Sequence, residues 1–389
     1  MAIPVYEARL KDQTGAVVAR FFGAGRGLTG GGMQSFRYQK LIRKPGAYSL
    51  TLYGNDERIS AFVLDGQIEF WRRDPAGGLG WYLDYEGFHR YPKYTQDEEG
   101  REIFVSHGVG YNCLLASETI QYAAGSAQSC KGPAPAETVA KAFVNENVGP
   151  GAGVDQLALA RVRPGLAIQA DAASGANWTG CRAYRNLIDV LVELGWAAPG
   201  DFMVVGTGAA TFEFQWAANQ WGLDRTVGNG VRPPVTFSAI AGNLERINHG
   251  YNRINETNIC YVQGAGLTTT RLRRTRQDAG LLAGSPWARR AVARDARDED
   301  NNARLDERGD EVLEKEQPRR NLDFAARQTV ATRYGREWDF GDLVSVEYWE
   351  GLINYRVSAK IVDVTVSMSP DGAETIVPAA EAVGAPVVI

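Results

Sequence analysis

Residues 341–368 read GDLVSVEYWEGLINYRVSAKIVDVTVSM. Val344, Val346 and Tyr348 alternate with Ser345 and Glu347, the two-residue period of a strand with one face toward a core. Tyr355, Val357, Ala359 and Ile361 share one parity, whereas Val362, Val364, Val366 and Met368 share the other. One extra residue at Ile361–Val362 accounts for the change of phase, because a β-bulge sets two residues of one strand against one of its neighbour. Asp371-Gly372 then supplies a hairpin turn toward Glu374–Val377. The last dozen residues, rich in Ala, Val and Pro, are expected to pack against a neighbour or fray.

Working outward, the first 110 residues also read as β. Strands are expected at Val5–Leu10, Ala16–Phe22, Ser35–Leu41, Ala47–Tyr53, Gln67–Arg72, Gly80–His89 and Glu102–Val109. Turn residues separate them at Asp12–Gly15, Asn55-Asp56, Asp74–Gly78 and Asp97–Gly100. Short strands at this spacing predict a barrel or sandwich, not a βα repeat. In Gln67–Arg72, Ile68, Phe70 and Arg72 share a face while Glu69 and Trp71 share the other, so both faces are expected to be partly covered.

The middle changes character. Val139, Ala140, Phe143 and Val144 form one stripe of a helix over Ala136–Asn147, which Gly149-Pro150 ends. A second helix runs from about Tyr184 to Leu194, with Gly195 placed as its C-terminal cap. Strands follow at Phe202–Val205, Thr211–Trp216, Val235–Ser238 and Glu256–Gln263. Arg289–Arg320 carries nine basic and ten acidic side chains, which predicts one or two solvent-facing helices acting as a spacer. The fold class is therefore α+β and β-rich, with small β-barrel domains flanking an α+β middle region.

Bulk properties exclude little and chemistry is sparse. The 389 residues predict two to four domains, and the 44% apolar content suffices for large cores. A formal net charge of -4, from 42 basic and 46 acidic residues, argues against a dedicated nucleic-acid binder. No apolar run is long enough to cross a membrane as a helix, and no signal peptide is expected. Cys113, Cys130, Cys181 and Cys260 contain no CxxC pair and are expected as buried free thiols. Gly25–Gly30 matches GxGxxG by letter, but a strand-like run follows instead of the helix that nucleotide binding needs, so an assembly loop spanning Gly23–Gly32 is expected. His89, His107 and His249 have no histidine partner nearby in sequence and read as structural. Asp298–Asn302 resembles the start of a calcium loop but lacks the glycine and glutamate that complete one. Asp84 and Glu86 share a strand face, where a solvent-facing pair is commoner than a glycosidase pair. Trp71, Trp81, Trp178, Trp196, Trp216 and Trp221 are candidates for glycan contact. No catalytic, cofactor-binding or metal-binding residue is assigned, and no cofactor is expected.

The order of several passages resembles the hub or tail-associated proteins of long-tailed bacteriophages, specifically the siphovirus hub group of the ReqiPepy type. These passages are SFRYQKLIRKPGAYSLTLYGND, DGQIEFWRRDP, WYLDYEGFHRY, GYNCLLASETIQY, VTFSAIAGNLERINHGYNRINETNICYVQGAG, YGREWDFGDLVSVEY and YRVSAKIVDVTVSM. GYNCLLASETIQY departs from the family pattern: Ala-Ser-Glu follows Leu114-Leu115 where a basic residue is usual. The resemblance implies a non-enzymatic baseplate hub at the virion tail tip, assembled in the host cytoplasm. It also implies a homotrimer whose two barrels per chain imitate sixfold symmetry and match the hexameric tail tube. Implied partners are a distal tail protein or tail tube protein, the C-terminus of the tape measure protein, and central tip or fibre proteins. DNA would pass through the channel transiently, without sequence-specific binding. The corresponding division is an N-terminal barrel-like domain (1–120), an α+β middle (121–234), a second β segment (235–288), a charged helical linker (289–320) and a C-terminal barrel region (321–389). A receptor- or glycan-binding tail protein and a tail-associated cell-wall hydrolase are the alternatives.

Overall fold

Strands from both ends of the chain join edge to edge in the computed structural model, which describes residues 4–23, 32–121, 128–155 and 157–389. The N-terminal region supplies β1 (Val5–Lys11), β2 (Val17–Gly23), β3 (Ser35–Leu41), β4 (Ala47–Tyr53), β5 (Gln67–Asp74), β6 (Leu79–Gln96) and β7 (Glu102–Gly110). The middle holds α1 (Cys113–Ala116), β8 (Ser129–Pro135), α2 (Ala136–Asn147), β9 (Leu166–Ile168), β10 (Asn177–Arg182), α3 (Leu187–Ala197), β11 (Gly200–Gly208) and β12 (Thr211–Ala218). Next come β13 (Thr236–Phe237), β14 (Leu244–Asn252), β15 (Ile259–Gln263), β16 (Arg273–Gln277), α4 (Ala279–Ala283), β17 (Ala291–Asp295), α5 (Asn302–Lys315) and β18 (Arg319–Ala326). β19 (Leu343–Glu350), β20 (Ile353–Met368) and β21 (Glu374–Val388) follow.

Thirteen strands form one sheet, in the order β14-β18-β21-β20-β3-β4-β7-β6-β5-β1-β2, with β19 on β20 and β13 on β19. The two ends of the chain meet where β3 pairs with the second half of β20, from Leu41 opposite Asp363 to Phe36 opposite Met368. The first half of β20 pairs instead with β19. The expected bulge is present: the register against β21 shifts between Ile361 and Asp363. Val357, Ala359 and Ile361 are buried before it and Val364, Val366 and Met368 after it, while Val362 is half-buried. One strand thus keeps its apolar side inward while serving two parts of the sheet. A single core follows, shared by Phe21, Phe36 and Phe70 from the N-terminal strands and Trp338, Val346 and Val364 from the C-terminal ones.

A second core lies in the middle region. The stripe Val139, Ala140, Phe143 and Val144 of α2 packs with Leu187, Leu191 and Leu194 of α3 and with Phe202 and Phe214 of β11 and β12. α3 begins three residues later than expected, because the Asn186 side chain caps it by accepting from the Ile188 N–H at 3.1 Å. It also continues through Gly195, which is therefore not the cap. A Cβ there would lie 2.8 Å from the Gly200 carbonyl and 3.2 Å from the Arg43 guanidinium, so the glycine serves close packing.

Arg289–Arg320 also departs from expectation. It contains β17, α5 and the start of β18, not one or two solvent-facing helices. α5 lies against the small sheet β16-β15-β17, where Leu305 joins Cys260 and Val262 in a third core. Gly309 admits the Arg276 stem and Val262, and Arg274–Asp306 and Arg276–Asp310 ion pairs flank the contact. Glu311 reaches the other side, accepting from Trp178 Nε1 at 3.0 Å and Arg182 Nη2 at 2.6 Å. Charge on this helix is thus largely matched to neighbouring elements. The segment after the Asp371-Gly372 turn is longer than expected: β21 runs to Val388.

Two of the cysteines are not free thiols. Cys130 and Cys181 sit directly opposite each other in β8 and β10 and form a disulfide that spans 51 residues of sequence. Cys113 and Cys260 are free. Thiol titration of the denatured protein should therefore find two reactive groups without reductant and four after reduction; four without reductant would remove the bridge.

Glu137, in the first turn of α2, ties the following loop to the helix. It accepts from the Lys141 ammonium, from the Ser174 hydroxyl, and from the backbone N–H of Ala172 at 3.2 Å and of Ser174 at 3.0 Å. Burial alone would raise its pKa, but Lys141, Ser174 and the backbone donors hold it at about 2, below its ordinary 4.5. The unfolded chain therefore takes up the proton first as pH falls, so this stabilisation is complete above 4.5 and disappears as pH approaches 2. Glu137→Gln should cost about 2 kcal/mol near neutral pH. The gap in melting temperature between wild type and variant should close on acidification, and a gap that stays constant would contradict the assignment.

Candidate functional site

The alternation in β5 that places Arg72 with Ile68 and Phe70 brings a guanidinium inside the sheet. Arg72 donates through Nε to Glu374 Oε1 at 2.9 Å and Tyr6 Oη at 3.0 Å, through Nη2 to Glu374 Oε2 at 3.2 Å, and through Nη1 to Tyr82 Oη at 3.0 Å. Nη1 also reaches the Tyr334 carbonyl at 3.3 Å. Beside it, Asp84 of β6 is buried and accepts from Lys40 Nζ at 2.9 Å, Tyr334 Oη at 2.7 Å and the Tyr38 hydroxyl. Burial would raise the Asp84 pKa, yet Lys40 and the two phenols keep it below the ordinary carboxylate value. A third buried carboxylate, Asp201 of β11, receives Arg43 Nη2 and Lys360 Nζ, each at 3.0 Å, and the Trp221 N–H at 2.9 Å. These contacts form an ionic seam joining β1, β3, β5 and β6 to β11, β20, β21 and the Tyr334–Asp339 segment.

Sequence reasoning noted Asp84 and Glu86 but placed them on a solvent-facing strand. Asp84 is instead inside, saturated with donors, and Glu86 is half-buried, accepting from the Gly206 N–H. The sequence signal for the seam is Arg72, a cation on the apolar parity of its strand. The histidines are not brought together as a metal site, and no group of three or more potential metal ligands occurs among the described residues. His107 stacks on Tyr91, and His249 packs at a tilt against Tyr348. His89 Nδ1 lies 2.8 Å from Ser106 Oγ, which also contacts the Tyr48 hydroxyl at 2.9 Å. This serine–histidine pair is fully buried, without the exposure a nucleophile requires.

The remaining candidates have local roles. Asp298 and Glu299 bind Arg308, and Asn301 caps α5 by accepting from the Ala303 N–H at 2.8 Å. Of the six candidate tryptophans, Trp178 and Trp216 are buried, Trp71, Trp196 and Trp221 half-buried, and Trp81 exposed. They form no common exposed platform. Residues 24–31 of the glycine loop, with the GxGxxG match, lie outside the described residues.

A surface feature missed in the sequence lies at the far end of β19–β21. The tip of the β19–β20 hairpin exposes Trp349, Leu352 and Ile353, with Leu352 97% accessible. β21 brings Val387 and Val388 alongside through the pairs Arg356–Val387 and Tyr355–Val388. Exposed apolar clusters of this kind mark interaction surfaces.

This fold, a sheet that unites both ends of a chain around an inserted α+β region, is similar to that of solved phage tail proteins. The 43 kDa tail protein of prophage MuSo2 from Shewanella oneidensis is similar with a TM-score of 0.56 at 12% identity, covering 97% of this chain and 98% of its own. The tail protein from Neisseria meningitidis MC58 gives 0.54 at 10% identity, with 98% and 96% covered. A chain of the lidded Francisella PdpA–VgrG complex gives 0.50 at 9% identity, with 99% and 54% covered. No curated protein matches the chain by sequence. The chain belongs to the Siphovirus ReqiPepy6 Gp37-like protein family, which matches residues 31–379. It is accordingly a structural protein of the virion tail.

Removing one member of a buried ion pair costs about 3–5 kcal/mol, because the other is left without its counter-charge. Glu374→Ala leaves Arg72 with Asp74 at 3.8 Å as its remaining acidic partner, so urea unfolding should show a loss of about 3 kcal/mol. The double variant R72M/E374L should recover most of that loss. Equal instability of the single and double variants would show that Arg72 acts through its other partners.

Proposed function

We propose that this protein is the ring-forming hub of the tail tip. In this reading three copies close a ring in which the N-terminal barrel (1–120) and the C-terminal barrel (321–389) alternate. The ring adapts the hexameric tail tube to the central tip or fibre apparatus and surrounds the channel through which DNA leaves. The α+β middle (121–234), together with the small sheet β16-β15-β17 and the α5 helix packed on it, forms the side facing the tip. The role is non-enzymatic. Partners are other tail components: a distal tail or tube protein, the C-terminus of the tape measure protein, and tip or fibre proteins.

The observation that carries this reading is the pairing of β3 with β20, which fuses the two strand regions into one sheet over one core. Two linked barrels would then move as one ring segment. Two further features support it. Among the described residues the sheet's ends, β2 and β14, each pair on one side only, and unpaired edges are surfaces that neighbouring chains cover. The apolar tip around Leu352 and Val387 offers a hydrophobic contact of the kind found at the centre of stable interfaces. A receptor- or glycan-binding role has less support, since of the six candidate tryptophans only Trp81 is exposed.

Mass photometry of the purified protein should show a species of three times the 42.4 kDa chain mass. Leu352→Glu with Val387→Glu should shift it toward monomer without lowering the melting temperature of the monomer. A wild-type protein that stays monomeric through the micromolar range, alone and with the tube protein, would overturn the hub reading.

A further inference from the structure

The two sulfurs of the bridge between β8 and β10 meet different surroundings. Cys130 is exposed, whereas Cys181 is fully buried. Arg304, in the first turn of α5, aims its guanidinium at the buried sulfur. Its Nη1 stands 3.1 Å from Cys181 Sγ and 3.9 Å from Cys130 Sγ. Arg308, one turn further on, donates through Nη2 to the Cys181 carbonyl at 3.2 Å. Like charges four residues apart weaken a helix, and here that spacing serves the contact of both arginines with one cysteine. The buried Glu299 carboxylate holds the pair in place, 3.6 Å from Arg304 Nη1 and 3.1 Å from Arg308 Nη2.

Thiol–disulfide exchange needs a thiolate attacking one sulfur and the other sulfur leaving, and it is faster when the leaving thiol has a low pKa. A neighbouring arginine lowers a thiol pKa. Attack at the exposed Cys130 sulfur therefore expels Cys181 as a thiolate beside the Arg304 guanidinium. A virion protein is made inside a host cell, where thiols are kept reduced, and works outside it. We propose that Cys130–Cys181 is a reversible redox site, opened by low-molecular-weight thiols and closed by the corresponding small disulfides. In opening, the thiolate of one small thiol bonds to Cys130 Sγ, the Cys130–Cys181 bond breaks, and its electron pair leaves on Cys181. A second small thiolate attacks the sulfur of the first, forming the small disulfide and releasing Cys130. Two thiols are thus oxidised to one disulfide, and the bridge takes up their two electrons. One thiol proton ends on Cys130 and the other in solvent. Closing runs the same steps in reverse. In the open state the Arg304–thiolate ion pair and the Glu311 contacts with Trp178 and Arg182 keep α5 on β10, so the fold persists in both states. The site does not depend on the ring reading.

Reduced glutathione, added at millimolar concentration to the oxidised full-length protein and quenched with iodoacetamide, tests this by peptide mass spectrometry. Brief exposure should leave glutathione on Cys130 and the alkyl label on Cys181. Longer exposure should label both cysteines, and oxidised glutathione should restore the bridge. Arg304→Met should slow opening by about tenfold and Arg304→Lys by less, with the fold checked by circular dichroism. A merely structural role for Arg304 predicts the opposite sign, because loosening α5 would uncover the bridge and speed its opening. The position of glutathione on the wild-type chain is read without any substitution. A bridge that opens only in urea, glutathione attached first to Cys181, or opening of folded R304M at the wild-type rate or faster would each overturn the proposal.

Discussion

The structure depends on charges buried where apolar side chains would pack more cheaply. Arg72 and Asp84 are almost wholly removed from water, and desolvating such groups costs several kcal/mol each before any pairing. Their partners come from the other end of the chain: Glu374 lies 302 residues from Arg72, and Tyr334 lies 250 from Asp84. Apolar contacts are tolerant of sliding, because one branched side chain replaces another at little cost. A guanidinium with five donors in a fixed fork is not tolerant. A shift of β5 by one residue would turn Arg72 to the opposite face and leave Glu374, Tyr6 and Tyr82 without it. The seam therefore specifies which strands meet, and in what register, more than it adds to stability.

The same arrangement explains how the protomer serves as a part in an assembly. Asp201 carries the seam into the middle region, binding Arg43 from the β3–β4 turn and Lys360 from β20. Three parts of the chain are thus tied to one another by groups that lose most when separated. A structural protein of a virion tail has to keep its contact surfaces at fixed relative angles, and this latch provides that constraint from within one chain. The sheet edges and the apolar tip at Leu352 are surfaces of a different kind, of the sort that another chain covers.

Legibility in the sequence followed the physics of each strand. β3, β4, β19 and β20 alternate cleanly because one face meets a large core, and the bulge at Val362 could be placed from the change of phase alone. β14, β16, β17 and β18 were missed because apolar alternation is weak in them. In β16 the inward positions include Arg274 and Arg276, which meet Asp306 and Asp310 of α5, so ion pairs stand where the pattern looks for apolar residues. The Cys130–Cys181 bridge was also invisible: its cysteines are neighbours only after β8 and β10 pair. Asp84 was misplaced for a related reason. A carboxylate in a strand reads as solvent-facing unless the chain elsewhere supplies a cation and two phenols, and Tyr38, Lys40 and Tyr334 cannot be assigned to it from spacing.

Serine, histidine, aspartate and lysine all occur inside this protein, and what separates them from an active site is saturation. A catalytic group needs an unfilled valence facing a cleft and a pKa poised for transfer. Asp84 already accepts three hydrogen bonds, and its pKa is pushed away from neutrality. The His89 pKa is lowered mainly by burial, and the ring faces Ser106 in the interior. Saturation of Asp84 and its neighbours suits a structural role, since an unsatisfied group inside the latch would weaken it.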